Sequence, residues 1–352
     1  MITTTTSNSV RLDQLTADIA RKLAVDPQTI LPFADYIDLL GDLLTQFGGP
    51  TSRLVAAGQV TSEVAQAADR SQIEIEERLS PSPFSSRPQS VIEGVNARSD
   101  IVYIANPNRI TGATYSLSNL EEIANAVPEG ALIVDEYYFD YYGVSALPLT
   151  ETHSNVIVLR SFTAAFSINS ADIGLVLAGR PAIEKIAQAH SGSVFTKALC
   201  RTVESVLTNE EAVVNRMAEV RQESLRIAQA LDACGLFCRT TPADFLLMRV
   251  ADPKSFGNAL AADKIAVDNL HGYPQMKNYV RYRIESPLNN DHLIRAVQRM
   301  IPDHFRMKRP DARPTKTHHG EETIVPSPVQ SRLQSVTETK ASNRLEETVE
   351  NE

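Results

Sequence analysis

The chain has 352 residues, 43% of them apolar and 22% charged, and 43 acidic against 34 basic side chains give it a formal net charge of −9. That length is ample for one large or two medium domains, and the acidic balance excludes the basic stripe that neutralises nucleic-acid phosphates. No run approaches the ~20 apolar residues of a membrane-spanning helix, and the first residues lack the basic and apolar regions of a signal peptide, so a cytoplasmic protein is expected.

In chain order, residues 1–10 are a Thr/Ser/Asn-rich lead without periodicity, expected to be disordered. Leu12, Leu15, Ile19 and Leu23 recur at helical spacing and predict a first amphipathic helix ending near Val25. A second helical pattern covers 36–47, stopped by Gly48-Gly49-Pro50. A Ser/Pro-rich turn at 80–88 then leads to the most informative stretch, residues 101–177. Its apolar runs at 101–104, 131–134 and 155–160 read as strands, with a helical pattern between the first two. Each run delivers a polar cluster at its end: the turn-rich loop 106–112, the segment Asp135-Glu136-Tyr137-Tyr138, and Ser161-Phe162-Thr163. Buried parallel strands place side chains at a cleft in this way.

A further strand starts at Ile173, a helix covers 182–191, and long helical periodicity runs over 195–231. An α+β unit follows, with strands at 245–250 and 279–284 and helices at 253–263 and 291–300. Residues 306–352 are too poor in apolar groups to offset ordering entropy and are expected to be disordered. The expected fold is α/β, a mainly parallel sheet with helices on both faces in residues 11–232, plus a small C-terminal α+β domain in residues 233–305. Cys200, Cys234 and Cys238 are an odd set with no second closely spaced pair, and no metal site is expected. Of the acidic pair after the second strand, a capping role and a ligand role both stand open, and Tyr138 either packs its ring or reaches a ligand.

The three polar blocks, in their order and spacing, resemble the fold-type-I pyridoxal-phosphate aminotransferases, most of all histidinol-phosphate aminotransferase and its relatives. The family reads Pro-Asn-Asn-Pro-Thr-Gly where this chain has residues 107–112, Asp-Glu-Ala-Tyr at 135–138, and Arg-Thr-Phe-Ser-Lys-Ala-Phe at 160–166. The resemblance implies that Asp135 matches the partner of the cofactor's pyridinium nitrogen and Tyr138 that of its ring oxygen. It implies that Ser161 and Thr163 match hydroxyls of the phosphate cup, that Asn108 keeps the first asparagine, and that Arg281 stands where relatives bind the substrate anion. A dimer, with itself or with an active relative, is implied too.

The chemistry of that family is largely missing. Its Schiff-base lysine is Ala164 here, and no lysine lies between Lys22 and Lys185. Its phosphate-binding arginine, eight residues later, is Asp172, a like charge beside a dianion. Its ring-oxygen asparagine is Arg109, the proline after it is Ile110, and no aromatic residue between Phe47 and Phe84 is available to stack on a cofactor ring. The family's glycine-rich phosphate turn is Leu31-Pro32-Phe33-Ala34-Asp35, and its N-terminal arm is not seen. The leading expectation is a non-catalytic pseudoenzyme that binds a small amino-acid-like ligand or a partner, without cofactor. The alternative is a residual enzyme of amino-acid metabolism that holds pyridoxal phosphate or its amine form non-covalently.

Overall fold

The computed structural model describes residues 3–162, 173–189 and 200–300 apart from 202 and 205–207. Seven strands form one sheet: β1 (Ile30–Phe33), β2 (Arg53–Ala57), β3 (Glu74–Arg78), β4 (Ile101–Ala105), β5 (Ala131–Glu136), β6 (Val156–Ser161) and β7 (Gly174–Ala178). Their order is β1-β7-β6-β5-β4-β2-β3. The pairings among β2 to β6 are parallel, whereas β7 is antiparallel to both β6 and β1. The sheet is therefore mixed and mainly parallel, as expected.

Alternation along these strands divides two apolar layers. Val102, Ile104, Leu132, Val134, Val156 and Val158 face one side, packed by α1 (Thr3–Leu23), the short helix α4 (Pro88–Ile92) and α5 (Leu117–Ala126). Ile101, Tyr103, Ile133, Ile157 and Leu159 face the other, against α2 (Tyr36–Phe47), α3 (Ser62–Arg70) and the helix Arg180–Ala189. Leu39, Leu40, Leu43 and Leu44 of α2 are each 0% exposed, and burial of each such side chain contributes roughly 1.5–3 kcal/mol. The N-terminus of α5 is fixed by a capping box between Ser116 and Asn119.

The second sheet, β10-β11-β9-β8, is antiparallel and comprises β8 (Cys238–Thr240), β9 (Phe245–Arg249), β10 (Asp268–Asn269) and β11 (Tyr279–Arg283). Helices Pro253–Ala262 and Pro287–Arg299, with the long helix Glu210–Ala233, complete its core. Ile110, Tyr138 and Tyr141 from the first sheet's loops belong to that same core. The loops at the ends of β4 and β5 thus bind the two sheets together.

Two local expectations are corrected. The lead over 1–10 is helical from Thr3, because a helix nucleated on the packed turns around Leu15 and Ile19 extends at the cost of one residue per added bond. Within the turn expected at 31–35, Ile30–Phe33 is an edge strand antiparallel to β7. Pro32 is tolerated there because an edge strand has one side without ladder bonds. Among the described residues no helix is long and apolar enough to cross a membrane. The expected tail 306–352 lies outside the described residues.

Candidate functional site

The carboxyl ends of β4, β5 and β6 lie side by side. Ala105 pairs with Asp135, Asp135 with Leu159, and Glu136 with Arg160. Asn108, Asp135 and Ser161 therefore come to one edge of the sheet, the position where open α/β sheets bind ligands. Thr163, Ala164 and Asp172 lie outside the described residues.

Asp135 is 2% exposed and well partnered. Its Oδ2 accepts the Tyr103 hydroxyl at 2.7 Å and the Tyr36 hydroxyl at 3.0 Å, and its Oδ1 accepts the Tyr137 amide at 3.0 Å. The two phenols are 2.9 Å apart. Burial and the adjacent carboxylate push both well above the ordinary tyrosine range, so both remain protonated donors. Neither tyrosine was distinguishable as a site residue in the sequence. Tyr36 falls on the apolar stripe of α2, and the one available signal is that a tyrosine inside a wholly buried strand such as β4 needs a partner for its hydroxyl.

The fourth neighbour of Asp135 is Arg109. Its Nη1 lies 3.9 Å from Asp135 Oδ2, with the arginine side chain only 12% exposed. The guanidinium is 4.0 Å from the centroid of the Tyr137 ring and 5.6 Å from that of Tyr36. Burial works against its charge, but Asp135 and the surrounding phenols raise its pKa further above the arginine range. A desolvated guanidinium on an aromatic face is held by cation–π attraction as well as by its ion pair.

Asn108 is consumed by its own loop. Its Oδ1 accepts the amides of Ile110 and Thr111, each at 3.0 Å, and its Nδ2 donates to the Gln59 carbonyl at 3.3 Å. Gly112 closes the loop at φ +71°, where a Cβ would come 2.7 Å from Thr241 of the second sheet's unit. Tyr138 packs its ring against Tyr137, Tyr141 and Phe245, with centroids 4.9, 6.1 and 5.8 Å away. Glu136 holds the following chain through Arg160 Nε at 2.8 Å, Ser145 Oγ at 3.0 Å and the Ala146 amide at 2.6 Å. Ser161 ends β6 beside Gly174.

Arg281 reaches the cleft from β11. Its Nη1 donates to the Arg109 carbonyl at 2.7 Å, and its Nη2 pairs with Asp268 at 2.8 Å. At the start of α2, Asp35 accepts the Asp38 amide at 2.9 Å, so the helix N-terminus is capped by a carboxylate. Between the two units lies a cleft of about 600 Å³, walled by Thr61–Glu63, Arg109, Tyr137 and Tyr138 from the first and by Arg281 and Arg283 of β11, residues 266–270 and Tyr273 from the second.

A seven-stranded mixed sheet with its polar loops at one edge, closed by a small α+β unit, defines the fold of the pyridoxal-phosphate-dependent transferases. The chain belongs to the aminotransferase class I and II family, whose model matches residues 4–299. It is 30% identical over 212 residues to histidinol-phosphate aminotransferase 1 of Burkholderia lata, a match covering 58% of this chain and 58% of that protein. Among solved structures, histidinol-phosphate aminotransferase from Sinorhizobium meliloti in complex with pyridoxal-5'-phosphate superposes with a TM-score of 0.73 at 17% identity, covering 82% of this chain and 81% of that one. The histidinol-phosphate aminotransferase from Clostridium acetobutylicum gives 0.70 at 16% identity, over 81% and 87%.

Proposed function

We propose that this chain is an aminotransferase-fold pseudoenzyme of the cytoplasm, which acts by binding a small amino-acid-like ligand or a partner and not by transamination. The reading is carried by Arg109. In the resembled family the carboxylate at Asp135 meets the cofactor's ring cation, and here a cation of the chain itself stands 3.9 Å from that carboxylate, on the face of Tyr137. A pyridinium brought to Asp135 would have to displace a guanidinium that is already buried, stacked and paired.

The other supports of pyridoxal phosphate fail in the same direction. The Asp35 carboxylate occupies the helix terminus where a phosphate dianion needs free amides. Ala164 offers no amine, Asp172 offers a like charge, and no aromatic side chain between Phe47 and Phe84 can stack on the ring. The residues present do not fit the cofactor. A cleft of about 600 Å³ remains, within the size range of small-molecule sites. A dimer, with itself or with an active relative, belongs to this reading by family resemblance.

The test is the absorbance of the purified protein in the visible pyridoxal bands during titration with pyridoxal phosphate. No saturable change is expected at micromolar cofactor. A saturable band would favour the second reading, a residual enzyme of amino-acid metabolism that holds the cofactor or its amine form non-covalently. The retained Asp135, with its two phenol donors, is the observation that speaks for it.

A further inference from the structure

The cleft between the two units differs in its charge pairing from what its arginines suggest. Three guanidinium groups line it, and each is already engaged. Arg281 is bound to Asp268 and to the Arg109 carbonyl, at 2.8 and 2.7 Å. Arg283 pairs with Asp244 at 2.8 Å, and Arg109 faces Asp135 at 3.9 Å. An anion entering the cleft competes with a carboxylate for every one of them.

The carboxylates are not matched in the same way. Among the described residues Glu63 and Glu285, both on the cleft wall, make no ion pair. Glu63 Oε2 accepts the Ser62 hydroxyl at 3.3 Å, and Glu285 Oε2 accepts a hydrogen bond from the Asn289 side-chain amide at 2.6 Å. Burial pushes the Glu63 carboxyl up, but neighbouring hydroxyls, its backbone amide and the Arg109 charge together hold it below the usual range, so it is ionised at neutral pH. Across the cleft stand the half-buried ring of Tyr273 and the apolar side chains of Val267 and Leu270. A half-enclosed carboxylate opposite an aromatic and aliphatic wall is the chemistry that accepts an ammonium group on an alkyl chain.

Resting on the binding reading above, we propose that this cleft takes a small aliphatic amine or diamine, with its ammonium group seated on Glu63. Because each arginine is already paired, a carboxylate or phosphate gains little there, and of the amino-acid-like ligands that reading allows this selects those whose only charge is the amine.

The experiment is isothermal titration of the full chain at low ionic strength with putrescine, succinate and inorganic phosphate as probes. Putrescine is expected to bind saturably, and the two anions are not. Glu63→Gln should weaken putrescine by about tenfold or more, the loss of one charge-assisted hydrogen bond. Asp268→Asn, which frees Arg281, should gain affinity for succinate. Absent putrescine binding, binding unaltered in Glu63→Gln, or a wild-type preference for either anion would overturn the proposal. A pyridoxal-phosphate titration of the same sample separates the two failures. A colourless protein that ignores putrescine loses only the amine assignment, whereas a saturable visible band removes the pseudoenzyme reading itself.

Discussion

Arg109 Nη1 lies 3.9 Å from Asp135 Oδ2, so the buried carboxylate at the end of β5 takes its counter-charge from the loop that follows β4. That loop continues β4, whose parallel neighbour β5 carries Asp135, and the pairing of Ala105 with Asp135 sets the distance between loop and carboxylate. Replacing Arg109 by methionine, which keeps the length without the charge, leaves Asp135 desolvated and served by neutral donors only. We expect a loss of about 3 kcal/mol in urea unfolding. A loss under about 0.5 kcal/mol, as at an exposed surface pair, would mean that the contact contributes little.

Tyr36 and Tyr103 both donate to Asp135 Oδ2, from a helix and a strand on the same face of the sheet. Tyr103→Phe and Tyr36→Phe should each cost about 1–3 kcal/mol, the range for a hydrogen bond to a charged group left partly unsatisfied. Because they share one oxygen, the double variant should depart from the sum of the singles, and a double-mutant cycle measures by how much.

Asp140 supplies a pH signature. Burial pushes its carboxyl up to about 6, against the pull of Arg160 and with the help of Glu136. The unfolded value is near 3.9, so between about pH 4 and 6 the folded chain holds this proton more tightly than the unfolded chain does. The residue's contribution to stability is therefore greatest below that window and is lost as pH rises through it. Asp140→Asn should be more stable than the wild type by roughly 1–2 kcal/mol at pH 7, and the difference should shrink towards pH 4. Urea midpoints across this range check the sign, and a difference of constant size would contradict it.

Much of the fold was legible before any coordinates. The runs at 101–104, 131–134 and 155–160 are strands because both sheet faces are covered, which makes them continuous apolar segments that no amphipathic helix imitates. β3 was hidden by its sequence, Glu-Ile-Glu-Glu-Arg, since a charged edge strand lacks that signal. β1 was hidden by Pro32. The site was legible in part. Asp135 and the loop over 106–112 were placed correctly at one sheet edge, yet the role of Arg109 was not foreseeable as geometry. Its guanidinium crosses to Tyr137 and Asp135 through a turn whose path is set by Asn108 and Gly112, and no periodicity encodes that direction. Arg281 was placed at the cleft, but its partner Asp268 sits on a two-residue strand that left no pattern in the sequence.

Family resemblance also predicts the oligomeric state. Light scattering at micromolar concentration should give a dimer mass, the assembly that the family resemblance implies. A monomer would remove the homodimer from the functional reading while leaving the cleft.

The central claim, that this site is closed to pyridoxal phosphate by more than its missing lysine, is tested most directly by restoring the lysine. Ala164→Lys supplies an amine but leaves Asp172 in place of the family's phosphate-binding arginine, and Arg109 on Asp135. Two charge-assisted contacts at roughly 1.5–3 kcal/mol each separate such a site from a functional one, a difference of about two to four orders of magnitude in affinity. In a visible-absorbance titration with micromolar pyridoxal phosphate, Ala164→Lys should stay colourless, and Ala164→Lys with Asp172→Arg and Arg109→Asn should gain a saturable band. If the single lysine variant turned yellow and transaminated, the cofactor site would be intact and the account contradicted.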